Sequence, residues 1–153
     1  MKTPLADLET DPRFPSGPWT GFFLDRRLPG RHRMELGLTF RQGVLVGEGR
    51  DWVGKFVVQG RYDLADGRCY FVKRYLGKHD VNYQGFNEGK GIWGVWEIVW
   101  PIPDRPAIKW SGGFHIWPEG MADPSHPKLS EQADLPIAIV DEAIVEEPQL
   151  TPV

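Results

Sequence analysis

Short runs of β-type residues, each ended by glycine or proline, constrain this chain more than any other feature. Between Gly17 and Trp117 the runs are rich in Val, Ile, Phe, Tyr and Trp, and they recur at roughly ten to fifteen residues, the spacing typical of a sandwich or barrel. No long segment has the apolar period of a helix. Eight strands are predicted, at Trp19–Arg26, Arg33–Arg41, Val44–Gly49, Gly54–Asp63, Arg68–Leu76, Asp80–Asn87, Gly91–Trp100 and Ile108–Trp117.

Glycine-containing turns separate several of these strands, at Gln42-Gly43, Asp66-Gly67, Gly77-Lys78 and Gly89 to Gly91. Such turns join sequential antiparallel strands into a meander. An eight-stranded sheet with one apolar face removes its two edges by closing on itself. The predicted fold is therefore all-β, an eight-stranded antiparallel up-and-down (meander) barrel. The proline-rich link from Pro101 to Pro106 is expected to be irregular and to cap one end.

Proline and charge divide the chain into three parts. Residues 1–16 are predicted to be an N-terminal arm, 17–117 the barrel, and 118–153 an acidic, proline-rich tail without a packed core. The tail holds eight acidic residues and one lysine, a charge of −7, which leaves +4 on residues 1–117 because the whole chain carries −3. One apolar stretch, Leu135 to Val145, is expected to dock on the barrel or on a protein partner.

Composition also bears on partners and compartment. The positive charge of the body is too scattered for a nucleic-acid surface, which needs clustered Lys and Arg. No apolar run of about 18 residues predicts a membrane span. Cys69 is the only cysteine, so no intramolecular disulfide can form. We therefore expect a cytoplasmic protein that binds neither nucleic acid nor membrane.

Alternation along the fifth strand gives the first indication of a site. Cys69, Phe71, Lys73 and Tyr75 share one face, and Phe71 favours the inward direction. A buried lysine needs a carboxylate or an anionic ligand nearby. Asp51 is a candidate partner, and so is Glu48, although the face of Glu48 is ambiguous from the sequence. Alternatively, Lys73 points outward opposite Glu97.

The inward reading predicts a pocket for a small molecule or a peptide end in the barrel mouth, with Asp51 and His79 near its rim. The candidate ligand-binding residues are Lys73, Tyr75, Tyr83, Trp96, Asp51, His79 and Tyr62. A different class of function uses the outer face of the seventh strand, where Trp93, Val95 and Val99 are apolar. That face predicts a protein-interaction module.

Sequence motifs of known catalytic sites are absent. There is no Gly-x-Ser-x-Gly elbow, no phosphate-binding glycine loop before a helix, and no pair of carboxylates on one strand face. The four histidines lack zinc-ligand spacing. No catalytic residue, metal site or cofactor is therefore assigned, although a buried Lys–Tyr–Asp group could support proton transfer.

The segment from Gly17 to Phe22 (GPWTGF), together with the meander and its inward aromatics, resembles the calycin superfamily, especially its avidin-like and nitrobindin-like members. The segments Gly47–Phe56, Phe71–Tyr75 and Val81–Gly85 are similar to a calycin-type module of poorly assigned function. The polar set by which avidins hold biotin is not complete here, so biotin is not implied. The nitrobindin-like resemblance implies haem binding through a late histidine, but His115 falls on the expected outer face.

Overall fold

The computed structural model describes residues 7–125. They form a closed barrel in which eight antiparallel strands follow one another in chain order and β1 pairs with β8. The predicted up-and-down barrel is confirmed, and no α-helix occurs within 7–125. The predictions for the tail beyond Ser125, including docking of Leu135 to Val145, lie outside the described residues. The strands are β1 Gly17–Asp25, β2 Leu28–Arg41, β3 Val44–Asp51, β4 Gly54–Tyr62, β5 Arg68–Tyr75, β6 Asp80–Asn87, β7 Ile92–Ile102 and β8 Arg105–Pro118.

Alternation places one apolar face of each strand inside the barrel. In β2, Met34, Leu36, Leu38 and Phe40 are buried while the residues between them are more exposed. In β7, Trp96 is buried, whereas the apolar side chains expected on the opposite face are exposed. The interior is one continuous cluster of aromatic and aliphatic side chains. The barrel is therefore held together by a packed core.

Residues 7–16 close one end of the barrel. Phe14 is fully buried among core residues and lies against the rings of Phe40 and Tyr62. The Tyr62 hydroxyl donates to Oε1 of Glu9 at 2.6 Å, and the Asn87 amide donates to the Arg13 carbonyl at 2.6 Å. The arm thus forms a plug at the end that carries the β2–β3, β4–β5 and β6–β7 turns.

The Pro101–Pro106 link, expected to be irregular and to cap one end, is a hairpin that contains a register shift between Trp100 and Ile102. It lies at the end with the β1–β2, β3–β4 and β5–β6 turns, but none of residues 101–106 lines the cavity found there. β7 and β8 stay paired from Ile92 with Ile116 as far as Ile102 with Arg105, and Asp104 takes the left-handed conformation in the turn, with a φ of 60°. Beyond Trp96 and Glu97, β7 has lost its other partner, β6. Proline is tolerated there because Pro101 lies at a register shift without a partner in β8, and because β6 no longer pairs with this part of β7.

The start of the predicted tail packs on the outside of the barrel. Met121 contacts a small cluster of Phe22, Leu24 and Trp117, and the Glu119 amide donates to the Pro18 carbonyl at 2.9 Å. The barrel unit therefore extends past Trp117, at least to the end of the described residues. Within those residues, no helix is both long and apolar enough to cross a membrane.

Candidate functional site

The other end of the barrel is open and leads into a cavity of about 480 Å³. Because hairpins of a meander alternate between the two ends, the β1–β2, β3–β4, β5–β6 and β7–β8 turns share this end, and the first three contribute lining residues. Aromatic and aliphatic side chains form the wall, and charged residues lie at the rim. The lining residues are Phe23, Asp25, Arg27, Leu28, Trp52, Val53, Tyr75, Lys78, His79, Val81, Tyr83, Trp96 and Ile98.

A buried polar cluster lies behind this wall. Nζ of Lys73 donates to Oδ2 of Asp51 at 2.9 Å, and the hydroxyl of Tyr75 donates to the same oxygen at 2.6 Å. The side chains of Lys73 and Asp51 are only 1% and 0% exposed. Of the two directions that the sequence left open for Lys73, the structure has the inward one, and Asp51 is its partner. Glu48 is exposed on the outer face of β3.

Aromatic rings surround the Lys73 ammonium. Its Nζ lies 4.7 to 5.0 Å from the ring centroids of Phe23, Phe56, Tyr75 and Tyr83, and 3.6 Å from Sδ of Met34. Cation–π contacts of this kind stabilise a charge that has left water. Burial lowers the pKa of Lys73 to about 8, although the carboxylate of Asp51 opposes that shift. The cluster is thus a charge pair held inside an aromatic cage.

The two tyrosines of the wall keep their protons. Burial raises the pKa of Tyr75, and its hydrogen bond to Asp51 adds to the rise. Burial also raises the pKa of Tyr83 well above its ordinary value. Trp96 donates its Nε1 proton to the Leu24 carbonyl at 2.8 Å. Because the polar atoms of Tyr75 and Trp96 are used within the protein, these residues offer the cavity mainly their ring surfaces.

The rim of the cavity holds an ion pair between Arg27 and Asp25 and a neutral histidine, His79. Arg27 makes two side-chain hydrogen bonds to Asp25, at 3.0 and 2.7 Å, and its guanidinium lies 4.2 Å from the ring centroid of Trp110. Burial on its own raises the pKa of Asp25, but the hydrogen bonds from Arg27 outweigh it and leave that pKa lowered. Burial lowers the pKa of His79, and Arg27 adds to that shift. At neutral pH the imidazole is therefore uncharged.

The structure brings six of the seven predicted site residues to this end of the barrel. Tyr75, Tyr83, Trp96 and His79 line the cavity, and Lys73 lies directly behind the wall. Asp51 was expected near the rim, but its side chain is buried beside Lys73. The seventh residue, Tyr62, lies at the plugged end and binds Glu9. Alternation assigned Tyr62 to the right face but not to a height along the barrel axis.

Sequence reasoning missed the rim. Trp52 is 62% exposed in the β3–β4 turn, and Arg27 and Lys78 lie in the other two turns around the cavity. Turn position was a usable signal, because alternate hairpins of a meander share one end. Taking the first, third and fifth connections together would have grouped these residues with Asp51 and His79.

Neither haem ligation nor metal binding gains support from the histidines in the described part of the chain. His115 lies on the outer face, where its Nε2 is 2.6 Å from the Lys90 carbonyl. Within residues 7–125, no three His, Cys, Asp or Glu residues lie close enough together to hold a metal ion.

No protein-family model matches the chain, and neither a curated protein nor a solved structure matches it.

Proposed function

We propose that the barrel binds a small molecule in the cavity at its open end. The observation that carries this proposal is a cavity of about 480 Å³ with a largely apolar wall and a few polar groups at its rim. Ligand pockets are typically concave, mostly apolar and of about 300–1,000 Å³. The opposite end is filled by Phe14. A ligand therefore enters between the β1–β2, β3–β4 and β5–β6 turns.

The Lys73–Asp51 pair supports binding rather than proton transfer. A pKa of about 8 would suit a general base, but the ammonium lies behind the rings of Tyr75 and Tyr83. A general base must come within hydrogen-bonding distance of its substrate. The pair instead fixes the positions of Asp51 and Tyr75, so that Tyr75 presents a rigid ring to the cavity.

Family and compartment remain part of the proposal. The closed meander of eight strands supports a calycin-like relationship, although many unrelated barrels share that architecture. Cys69 is a buried thiol, which is compatible with a cytoplasmic setting. We propose a small molecule as the ligand. The charged residues at the rim would also accept the end of a peptide that enters the same mouth.

Native mass spectrometry of the full chain tests the proposal by detecting a molecule that co-purifies with the protein. Val53→Trp would place a large ring in the cavity, because Val53 lines it and packs on the core. Val57→Trp is the matched control, since Val57 is 41% exposed on the outside of β4. We expect the ligand to be lost from Val53→Trp alone. Retention of the ligand by both variants would place it outside the cavity.

A protein-interaction module is the second candidate, because apolar side chains are exposed on the outer face of β6 and β7. Trp93, Val95 and Val99 are 45%, 54% and 43% exposed, and Phe86 lies 6.4 Å from Trp93 between ring centroids. Exposed apolar patches often mark contacts with other proteins. The same mass spectra distinguish the two functions, because an interaction module forms dimers or retains a protein partner.

A further inference from the structure

The charge balance of the cavity indicates the kind of ligand that it takes. Four lining residues other than tyrosine can carry charge, namely Asp25, Arg27, Lys78 and His79. Asp25 and Arg27 neutralise each other at 2.7 Å. Behind the wall, Lys73 and Asp51 do the same at 2.9 Å. These two pairs therefore contribute little net charge to the mouth.

Lys78 is the cation that remains. It is exposed in the β5–β6 turn, and within residues 7–125 no carboxylate forms an ion pair with it. Its neighbour Asp80 is held by Arg74 at 3.0 Å, so that carboxylate is already paired. His79 is neutral at pH 7 because burial lowers its pKa. Among the lining residues, Lys78 is therefore the one charged side chain that has no ion-pair partner within residues 7–125.

The aromatic wall of the cavity indicates the shape of the ligand's apolar part. Five of the thirteen lining residues are Phe, Tyr or Trp, namely Phe23, Trp52, Tyr75, Tyr83 and Trp96. The polar atoms of Tyr75 and Trp96 are already hydrogen-bonded within the protein. Trp52 extends the aromatic surface to the rim, where it is 62% exposed. Aromatic rings prefer stacked or edge-on contact with other flat rings.

We propose that the cavity selects a monoanion with a flat apolar body, which inserts between the aromatic rings while its anionic group meets Lys78 at the rim. This inference rests on the proposed function and specifies its ligand class. Carboxylates and sulfonates share the required chemistry. A neutral ring compound would use only the wall, and a cation would be repelled by Lys78.

A matched pair of fluorescent probes tests the charge preference directly. 1-Anilinonaphthalene-8-sulfonate and N-phenyl-1-naphthylamine have the same ring system and differ by one sulfonate. With the full chain at low salt, we expect the sulfonate to bind about two- to fivefold more tightly, as a partly exposed ion pair would give. The difference should shrink as salt is added, because salt screens exposed charges.

Two variants locate the anion. Lys78→Gln should bring the affinities of the two probes together, and comparing both probes in the same variant accounts for any ring contact that the lysine side chain makes. Lys90→Gln is the matched control, because Lys90 is exposed in the β6–β7 turn at the plugged end and adjoins the outer face through His115. If Lys90→Gln removes the preference instead, the sulfonate binds the outer face and the inference is wrong.

The remaining outcomes separate this inference from the proposed function. If both probes bind equally well and Val53→Trp abolishes the binding of both, the charge preference is wrong but the small-molecule pocket is supported. Binding of neither probe would overturn the inference, because a flat apolar anion would then not be accepted. Loss of the co-purified ligand from Val53→Trp would still support the pocket in that case.

Discussion

Nζ of Lys73 and Oδ2 of Asp51 lie 2.9 Å apart inside the barrel, and both side chains are excluded from water. The two residues come from β5 and the last position of β3. Each charge is tolerated only because the other is present. The pair therefore links the β3–β4 turn to the barrel wall next to the cavity.

Lys73→Met tests this dependence. The substitution keeps most of the side-chain volume but leaves Asp51 buried without its cation, so we expect the free energy of unfolding to fall by about 3–5 kcal/mol. Lys55→Met is the control, because Lys55 is exposed on β4, and it should change stability by less than about 0.5 kcal/mol. Urea unfolding measures both. Equal stability of the two variants would mean that Lys73 is not held as a buried ion pair.

Phe14→Ala tests the plug. Phe14 belongs to no strand, yet it is 0% exposed and contacts Phe40 and Tyr62. Removing a fully buried phenylalanine ring typically costs about 3–5 kcal/mol. Phe86→Ala removes the same ring from the outer face, where it is 39% exposed, and should cost under about 1 kcal/mol because the site is on the surface. Similar losses from both variants would show that the arm does not close the barrel.

Part of this structure follows directly from the sequence, because strand alternation and glycine turns are local patterns. They predicted the eight strands and the closed meander, and they left two directions open for Lys73. The plug could not be predicted, since residues 7–16 have no period and Phe14 is an isolated aromatic residue among polar neighbours. The end of the barrel at which Tyr62 lies could not be predicted either, because alternation determines which face a side chain is on and not its position along the barrel axis. The sequence does not distinguish the β7–β8 hairpin from irregular chain, because proline is typical of both loops and bulged or edge positions of strands.

Close strand contacts at glycine give a sharper test of the packing. A Cβ at Gly60 would overlap the Tyr70 carbonyl oxygen and lie 2.5 Å from Cα of Phe71, whereas a Cβ at Gly37 would meet nothing within 4 Å. We expect Gly60→Ala to destabilise by about 1–3 kcal/mol, since backbone must move to admit the methyl group. Gly37→Ala should change stability by less than about 1 kcal/mol. Thermal unfolding of the pair decides this, and a harmless Gly60→Ala would refute the close approach of β4 and β5.

The stability of the protein should depend on pH through His79. Burial lowers its pKa below the ordinary value of 6.5, so the folded state binds fewer protons than the unfolded state just below that pH. The stability that neutral His79 contributes is therefore fully present above about pH 6.5, and it is lost as the pH falls from there through the lower pKa of the folded state. Burial lowers the pKa of His115 as well, which adds a loss of the same sign.

His79→Asn should therefore make the unfolding free energy less dependent on pH between 7.5 and 5, while His115 keeps part of the slope. Above pH 5 the buried carboxyl of Asp25, whose pKa is lowered, stays ionised in both variants and adds little to the slope. Proton NMR of the imidazole rings follows His79 itself. A ring that titrates above 6.5 would contradict the burial of His79 in the rim.

Two truncations test whether the segment after Pro118 belongs to the barrel. Arg31 lies 3.7 Å from the ring centroid of Phe22, and it binds Ser125 at 2.8 Å and Asp123 at 3.4 Å. Met121 covers the same cluster. Deleting residues 119–153 removes the contacts made by Met121, Asp123 and Ser125 and leaves Arg31 on the ring of Phe22. Deleting 126–153 keeps all of them.

The chain ending at Pro118 should unfold at a lower temperature than the chain ending at Ser125, by about 4 °C for each kcal/mol that residues 119–125 contribute. We expect about 1 kcal/mol, because Met121 buries an apolar side chain and the ion pair to Asp123 is partly exposed. Equal midpoints would show that residues 119–125 add nothing to the stability of the barrel. A fall of more than about 5 °C on deleting 126–153 alone would instead show that Leu135 to Val145 docks on it.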